Sequence, residues 1–554
     1  MTTDLPDHSD DRGELGQTDA LHRSAAVADE LDGIDPLVYA RRWKTLAVLC
    51  ASLIIVIVGN TVLNVALPTL QKPADQGGLG ATNTQVQWIV DAYGLVFAGL
   101  LFTAAALGDR FGRKGALQFG LAVFAAGSVL GALAETPGVL IAARAVMGVG
   151  GAFVMPSTLS ILTNVFPARE RAKAIAIWAG ISGSGAAVGP LASGLLLEHF
   201  WFGSVFLVNL PIIAAAVLAG WLLVPRSKDA TETPLDPVGA VLSIVGLSAL
   251  VYAIIEGPHH GWLSGASVIW FTVAIVVLAA FLWWEQRTTH PMLELGLFRN
   301  PRFAVSSGGI TLTFFAMFGT FFLLAQYLQG VLGYSPLGAS VRMLPFPAVM
   351  MVLAPQTPKF VARHGADKVA ALGLVLASAG MAGTAVFRVD TSYLQLAITM
   401  SVLAAGMALT MTPMTTQLMA AVPRDRAGMG SATNDTTREL GGALGVAVLG
   451  SVLASQYTSG VGGSVAALPV ELREIAEGSI GGVLGLAGSG LLPPAEAESI
   501  VAAGKQAFVD GLSLAAAVGA VVVLVTAALV KRYLPSDRGN PEVTGEPELE
   551  LALD

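Results

Sequence analysis

The sequence predicts an all-α integral membrane protein of fourteen transmembrane helices. Three observations carry that class. Of 554 residues, 54% are hydrophobic and only 13% are charged, where a soluble domain carries roughly 25%. Mean hydropathy is +0.67. The apolar residues gather into runs that match the bilayer, which needs about 20 residues per helix. An ordinary soluble enzyme and a disordered chain are both excluded, the first for want of charged surface, the second for excess of apolar residues. The single cysteine, Cys50, permits no internal disulfide. The histidines include one adjacent pair, His259 and His260, and nothing has metal-ligand spacing. No cofactor is expected.

In chain order the apolar stretches run 44–69, 84–107, 115–134, 138–163, 172–197, 204–224, 236–256, 265–284, 303–331, 338–360, 369–387, 393–421, 429–453 and 508–530. Most connections are a few residues long; 285–302 is longer and basic, and 454–507 is longest. Lys and Arg set the orientation. With the N-terminus in the cytoplasm, every inner segment is basic, from Arg41, Arg42 and Lys44 to Lys531 and Arg532. The outer segments hold Lys72, Arg388, Arg473 and Lys505. An even helix count then puts both termini in the cytoplasm and 454–507 outside, where short amphipathic patterns near Leu472–Ala476 and Ala495–Ala503 predict a partly helical loop. The tails 1–40 and 533–554 are acidic and read as disordered; the first lacks the apolar segment of a signal peptide.

The body also repeats itself. Gly108-Asp109-Arg110-Phe111-Gly112-Arg113-Lys114, between spans 2 and 3, is echoed by Arg363-His364-Gly365 between spans 10 and 11. Pro167-Ala168-Arg169-Glu170-Arg171 is echoed at nearly the same offset by Pro423-Arg424-Asp425-Arg426. Duplicated six-helix halves follow, 41–225 and 303–532, with spans 7 and 8 and their connection, 226–302, inserted between them. Transporters share this organisation, with the site between the halves near the midplane.

At these residues the chain resembles the major facilitator superfamily, and more narrowly its 14-helix drug:proton antiporters, which include exporters of quaternary ammonium compounds and dyes. The resemblance covers about 42–531 of the chain. Gly108 to Lys114 matches the superfamily's loop signature. Gly183, Gly185, Gly189, Pro190 and Gly194 match the antiporter glycine-proline motif. Arg144, Gly148, Gly150, Gly151 and Ala152 match the arginine-glycine motif, with Met147 where Gln is usual. Thr61, Asn64, Ala66, Leu67 and Pro68 match the first-helix motif, which normally carries an aspartate where this chain has Gly59. The resemblance implies a major-facilitator fold of two pseudo-symmetric six-helix bundles plus two inserted helices, and proton-coupled antiport of lipophilic or cationic compounds. It also implies that Gly108, Asp109, Arg110, Gly112, Arg113 and Lys114 form a cytoplasmic gate, with Asp109 pairing with a basic residue across the interface between halves.

Charge inside a membrane span costs at least about 2.5–3.5 kcal/mol, so such residues are functional candidates. They are Asp91, Arg144, Arg342, Asp435, Arg438 and Glu439. Asp91 and Arg144 lie at similar depths, so with Gly59 unable to supply a carboxylate they are expected to pair. Asp435 and Glu439 are four apart and share a helical face, with Arg438 placed to neutralise one of them; two carboxylates so close favour proton uptake by one. In span 5 Gly185 and Gly189, and in span 13 Gly441 and Gly445, have the spacing that lets membrane helices approach. Phe314, Phe315, Phe318, Phe321, Phe322, Gln326 and Gln329 of span 9, with Met400, Met407, Met411 and Met414 of span 12, offer soft cavity walls or plain packing. Gly59, near the midplane, is expected to leave a small, neutral wall in the cavity.

The reading is a monomeric exporter in the cell membrane, with a lipophilic small molecule, protons and the lipid bilayer as partners and no nucleic acid. Two readings compete with it. One is a narrow exporter of an endogenous metabolite or antibiotic; the other is a membrane sensor or scaffold that transports nothing. No phosphate-binding loop supports an ATP-driven pump, and no nucleophile–base pair supports an enzyme.

Overall fold

The computed structural model of the chain describes residues 34–63, 66, 70, 78–81, 83–227, 236–289, 291–423 and 426–536. Both acidic tails, and Asn64, Leu67 and Pro68 of the first-helix motif, lie outside the described residues. The architecture is helical, and no strand occurs among the described residues. Thirteen helices of the described residues are long and apolar enough to cross a membrane. The fifth expected span falls on a further continuous helix of 32 residues, Ala168–His199.

The long helices are α1 (Pro36–Thr61), α2 (Asn83–Phe111), α3 (Arg113–Ala132), α4 (Pro137–Val165) and α5 (Ala168–His199). They continue with α6 (Ser204–Leu223), α7 (Pro237–His260), α8 (Gly265–Glu285), α9 (Pro301–Val331) and α10 (Leu337–His364). The last four are α11 (Ala366–Thr384), α12 (Tyr393–Ala420), α13 (Ala427–Val465) and α14 (Pro494–Tyr533). Local chemistry starts them. Asp35, Thr136, Asp236, Ser264, Asn300 and Ser392 each accept a first-turn backbone N–H through the side chain, which satisfies a donor the helix cannot. Pro36, Pro137, Pro237 and Pro301 take the first position, where the missing N–H costs nothing. Helix α10 is segmented at Pro345, Pro355 and Pro358, because each proline removes a ladder hydrogen bond.

The sequence repeat has a packing counterpart. Gly120 of α3 and Gly150 of α4 meet so closely that a Cβ on either would stand under 3 Å from the other's carbonyl oxygen, and Gly373 of α11 meets Gly406 of α12 in the same way. Gly185 and Gly189 of α5 press on Ile57 and Thr61 of α1, as Gly441 and Gly445 of α13 press on the Thr311 and Phe315 backbone of α9. All four contacts keep nearly one offset. They are close helix approaches of the kind small residues permit in membranes, where packing rather than the hydrophobic effect holds helices together. They run backbone to backbone in the α3–α4, α11–α12 and α9–α13 pairs and onto side chains of α1 at α5. The turns into α3 and α11 match as well: Gly112 and Gly365 both precede their helix with positive φ, 116° and 89°, a region open to glycine at little cost.

Between the two groups of helices, α13 packs against α2 and α4, and α5 packs against α10 and α12. Helix α7 covers the seam between α2 and α13, and Trp262 at its far end donates to Ser451 of α13 at 2.9 Å. Spans 13 and 14 are longer than their apolar cores. Helix α13 continues to Val465 and α14 begins at Pro494, with short helices Val470–Gly478 and Ile480–Gly488 between them. Apolar burial of Ala476, Ile480, Val483 and Ile500, with a Tyr457 hydroxyl donating to Ala476 O at 3.2 Å, accounts for the order of this segment.

Candidate functional site

Helix α13 places Asp435, Arg438 and Glu439 on one face, and all three line a single cavity. The wall opposite is built from Val56, Ile57 and Thr61 of α1, Tyr93 and Phe97 of α2, Met155 of α4 and Ser182 of α5. Phe314, Met317 and Phe318 of α9 complete it. Both groups of helices therefore contribute. The free space is about 60 Å³, far below the roughly 300–1,000 Å³ of a drug-sized ligand site. A larger molecule would need more room than this conformation offers here.

Asp435 and Arg438 in this cavity are buried and only partly satisfied. Asp435 is 1% exposed. Its Oδ1 accepts from Asn434 Nδ2 at 3.3 Å and lies 3.6 Å from Arg438 Nη1; among the described residues, nothing donates to Oδ2. Arg438 donates through Nη2 to the Ser182 hydroxyl of α5. Its guanidinium lies over Trp178 of α5 and Phe314 of α9, at 5.2 and 4.7 Å from the ring centres. Glu439 points toward α2, with Oε1 3.5 Å from the place a Gly94 Cβ would take. A buried charge with incomplete partners is expensive.

Arg144 is fully buried behind this cavity. It donates through Nε to Ile89 O at 3.0 Å and through Nη1 to Gly59 O at 2.7 Å, and lies over the Tyr93 ring at 4.5 Å. The side chain of Asp91, its expected partner, lies outside the described residues. Tyr93 connects Arg144 to the cavity it lines.

At the α2–α3 end, Asp109 pairs with Arg113, the first residue of α3, at 2.6 Å. The same carboxylate presses on Gly428, in the first turn of α13, so closely that a Cβ there would collide with it. A carboxylate is favoured at a helix N-terminus, so the start of α13 is a favourable neighbour for it across the interface. Arg113 is 2% exposed and its backbone N–H donates to Ser227 O at 2.9 Å. Lys114 Nζ donates to Trp221 O at 2.6 Å, and the Arg110 guanidinium lies 5.4 Å from the Phe111 ring centre. Gly108 O accepts the Gly112 N–H at 3.0 Å. Nearby, Arg42 and Tyr39 of α1 both hydrogen-bond Glu170. Partial burial pushes the Glu170 carboxyl up, but these bonds and the charges of Arg42 and Arg169 outweigh it and hold it below the usual carboxylate range.

Several expectations require correction. Gly59 is not a cavity wall. A Cβ there would run into the Phe124 ring of α3 and stand 3.3 Å from Met147 Cε, so the position faces the packing between helices. Gly185 and Gly189 pack α5 on α1, whereas Gly194 meets Leu337 of α10 across the interface; the side chain of Pro190 is outside the described residues. Of the span 9 row, Phe314 and Phe318 line the cavity, while Phe315 backs α13 and Phe322 meets Gly450. Met400, Met407, Met411 and Met414 take the packing alternative and are buried in the core, while the cavity's thioethers are Met155 and Met317. Arg342 ends the first segment of α10, over the Tyr334 ring at 3.7 Å. The sequence reading missed Tyr93, Trp178 and Ser182. Their signal was faint: polar or aromatic residues on otherwise apolar, glycine-rich helices.

Residues 49–446 match the profile of the Major Facilitator Superfamily. The chain is 38% identical over 491 residues to "Multidrug efflux pump LfrA" of Mycolicibacterium smegmatis, covering 88% of this chain and 96% of that one. It is 33% identical to "Methyl viologen resistance protein SmvA" of Salmonella typhimurium, covering 88% and 98%. It is 30% identical to the "Tetracenomycin C resistance and export protein" of Streptomyces glaucescens, covering 91% and 94%. Among solved structures, the human organic anion transporter MFSD10 (TETRAN) shares the fold with a TM-score of 0.57 at 13% identity, covering 87% of this chain and 99% of that one.

Proposed function

The chain belongs to the Major Facilitator Superfamily, and from that premise we propose that it is a secondary active exporter of lipophilic and cationic drugs or dyes, coupled to proton entry. Its relatives are named for multidrug efflux and for resistance to single toxic compounds. One observation carries the mechanism: Asp435, Arg438 and Glu439 share a buried cavity lined by residues of both helix groups. Asp435 and Glu439 take up protons from outside when the cavity opens outward, and substrate leaves. With the inside open, the protons depart and substrate enters against the aromatic wall of Phe314, Phe318, Tyr93 and Phe97. Asp109 at the start of α13 and Gly194 at Leu337 are contacts that must break as one half rocks against the other.

In this reading the halves are 41–225 and 303–532, the insert is 226–302, and 454–507 lies outside. The protein works as a monomer in the cell membrane with both termini cytoplasmic, an orientation supported by the basic residues of its inner connections. The test is uptake of a cationic dye into energised inverted vesicles, whose lumen corresponds to the outside of the cell. Transport should collapse when the pH gradient is dissipated and persist when sodium is omitted. Dependence on sodium alone removes the proton reading. A narrow antibiotic exporter is the second reading, favoured by the relative named for tetracenomycin C; a panel in which a single compound is carried would establish it.

A further inference from the structure

Arg438 occupies an unusual place among the cavity charges. It sits on α13, yet its one hydrogen bond among the described residues goes to the Ser182 hydroxyl of α5, and one of the two rings it covers, Trp178, is also on α5. Its in-helix carboxylate, Asp435, is 3.6 Å away, an ion pair beyond hydrogen-bond reach. The Nε and Nη1 groups of Arg438 and the Oδ2 of Asp435 are buried, and no described residue hydrogen-bonds them. A guanidinium carries five donors in a rigid fork. In this structure the fork reaches the hydroxyl and stops short of the carboxylate, so a small rotation would trade one partner for the other.

We propose that Arg438 is a positioning residue that passes its guanidinium between Asp435 on its own helix and Ser182 across the interface, so that the charge on Asp435 sets how firmly α13 is held to α5. The proposal rests on the proton-coupling role given above to Asp435. With Asp435 ionised, its attraction draws the guanidinium back along α13 and loosens the tie. With Asp435 protonated, that attraction is gone, and Ser182 and Trp178 keep the arginine. The other charged or titratable groups facing this point are Glu439 on α13, Tyr93 on α2 and, behind Tyr93, Arg144 on α4; the cavity faces of α1, α5 and α9 present none among the described residues. Glu439 is therefore the one further competitor for Arg438, and it lies on the same helix, so it too draws the arginine away from α5. Trp178 is fully buried and donates through Nε1 to Thr158 Oγ1 of α4 at 3.2 Å, which fixes the ring that Arg438 covers.

The test uses the full chain reconstituted in liposomes, with ethidium as the probe and an imposed pH gradient, measured over a pH series. Ser182→Ala should lower turnover about tenfold, the weight of one hydrogen bond to a charged group, and flatten its dependence on pH while leaving KM little changed. Ser182→Thr keeps the hydroxyl and should restore the wild-type profile. In the Asp435→Asn background, where the arginine stays on Ser182, Ser182→Ala should still act, and by a different factor from that in wild type, because both act through one guanidinium; equal, independent factors overturn the latch. If Ser182→Ala scales turnover down equally at every pH, or changes KM alone, the residue merely packs and the latch is wrong. If Asp435→Asn loses pH dependence while Ser182→Ala retains it, the latch fails and the proton reading stands. If Asp435→Asn itself keeps the wild-type pH profile, both fail.

Discussion

Arg144 of α4 donates through Nη1 to the backbone carbonyl of Gly59 on α1 at 2.7 Å. The first-helix motif ordinarily has an aspartate at position 59, and here a carbonyl dipole of that same residue meets the arginine. A second carbonyl, Ile89 O on α2, accepts from Nε. One buried guanidinium thus ties three helices together through backbone acceptors, which do not titrate. Arg144→Lys should therefore cost about 2–3 kcal/mol, since a single ammonium cannot serve two carbonyls set apart by a fork and is harder to bury. Thermal unfolding in detergent measures it, and an unchanged melting temperature contradicts the arrangement.

Gly59 itself should tolerate no side chain, charged or neutral. A Cβ would enter the space of the Phe124 ring, and overpacking costs about 1–3 kcal/mol. Gly59→Ala and Gly59→Asp should both lower the melting temperature, and Phe124→Leu should partly rescue Gly59→Ala. A stable Gly59→Asp protein with altered substrate preference would return this position to the cavity.

Gly428→Ala places a methyl group against the Asp109 carboxylate. The expected outcome is a loosened inner seal, with turnover reduced several-fold and expression retained. Accessibility of a cysteine placed near the start of α13 to a membrane-impermeant thiol reagent, applied from the cytoplasmic side, reports it. The labelling rate should rise over the same cysteine in the Gly428 background. Equal rates show that the contact does not seal.

The Arg42–Glu170 pair predicts a pH signature. Glu170 is held below its ordinary value of 4.5, so its contribution is complete above that value and disappears as pH falls through the lower, folded value. The pair is partly exposed, so the contribution is roughly 1 kcal/mol or less. Comparing Glu170→Gln with wild type in denaturation at neutral and acidic pH should show a deficit at neutral pH that vanishes in acid. A deficit independent of pH assigns the role to packing.

Helix positions were legible because apolar length is local chemistry; their ends, set by caps such as Asp35 and Thr136 and by first-turn prolines, are not marked by the apolar runs, and α1 begins at Pro36, ahead of its run. The sharing of a cavity by Asp435, Arg438 and Glu439 was legible for the same reason, since spacing along one helix sets a face. Contacts between helices were not. Nothing in the order of residues says that Gly59 faces Phe124, that Arg438 reaches Ser182, or that the methionines of α12 pack inward, because these depend on how helices are rotated against one another. Length misled once, at α13 and α14, where amphipathic helix continues beyond the apolar run that marks the span.

The central claim is that Asp435 and Glu439 carry the coupled proton. Its most direct test is proton flux, read with a pH-sensitive dye inside proteoliposomes as ethidium is added. Wild-type protein should move protons opposite to substrate. Asp435→Asn and Glu439→Gln should each lose substrate-driven proton flux by at least about tenfold, the scale of a buried charged partner, while still exchanging labelled for unlabelled substrate. Undiminished proton flux in the double variant Asp435→Asn/Glu439→Gln would contradict the account.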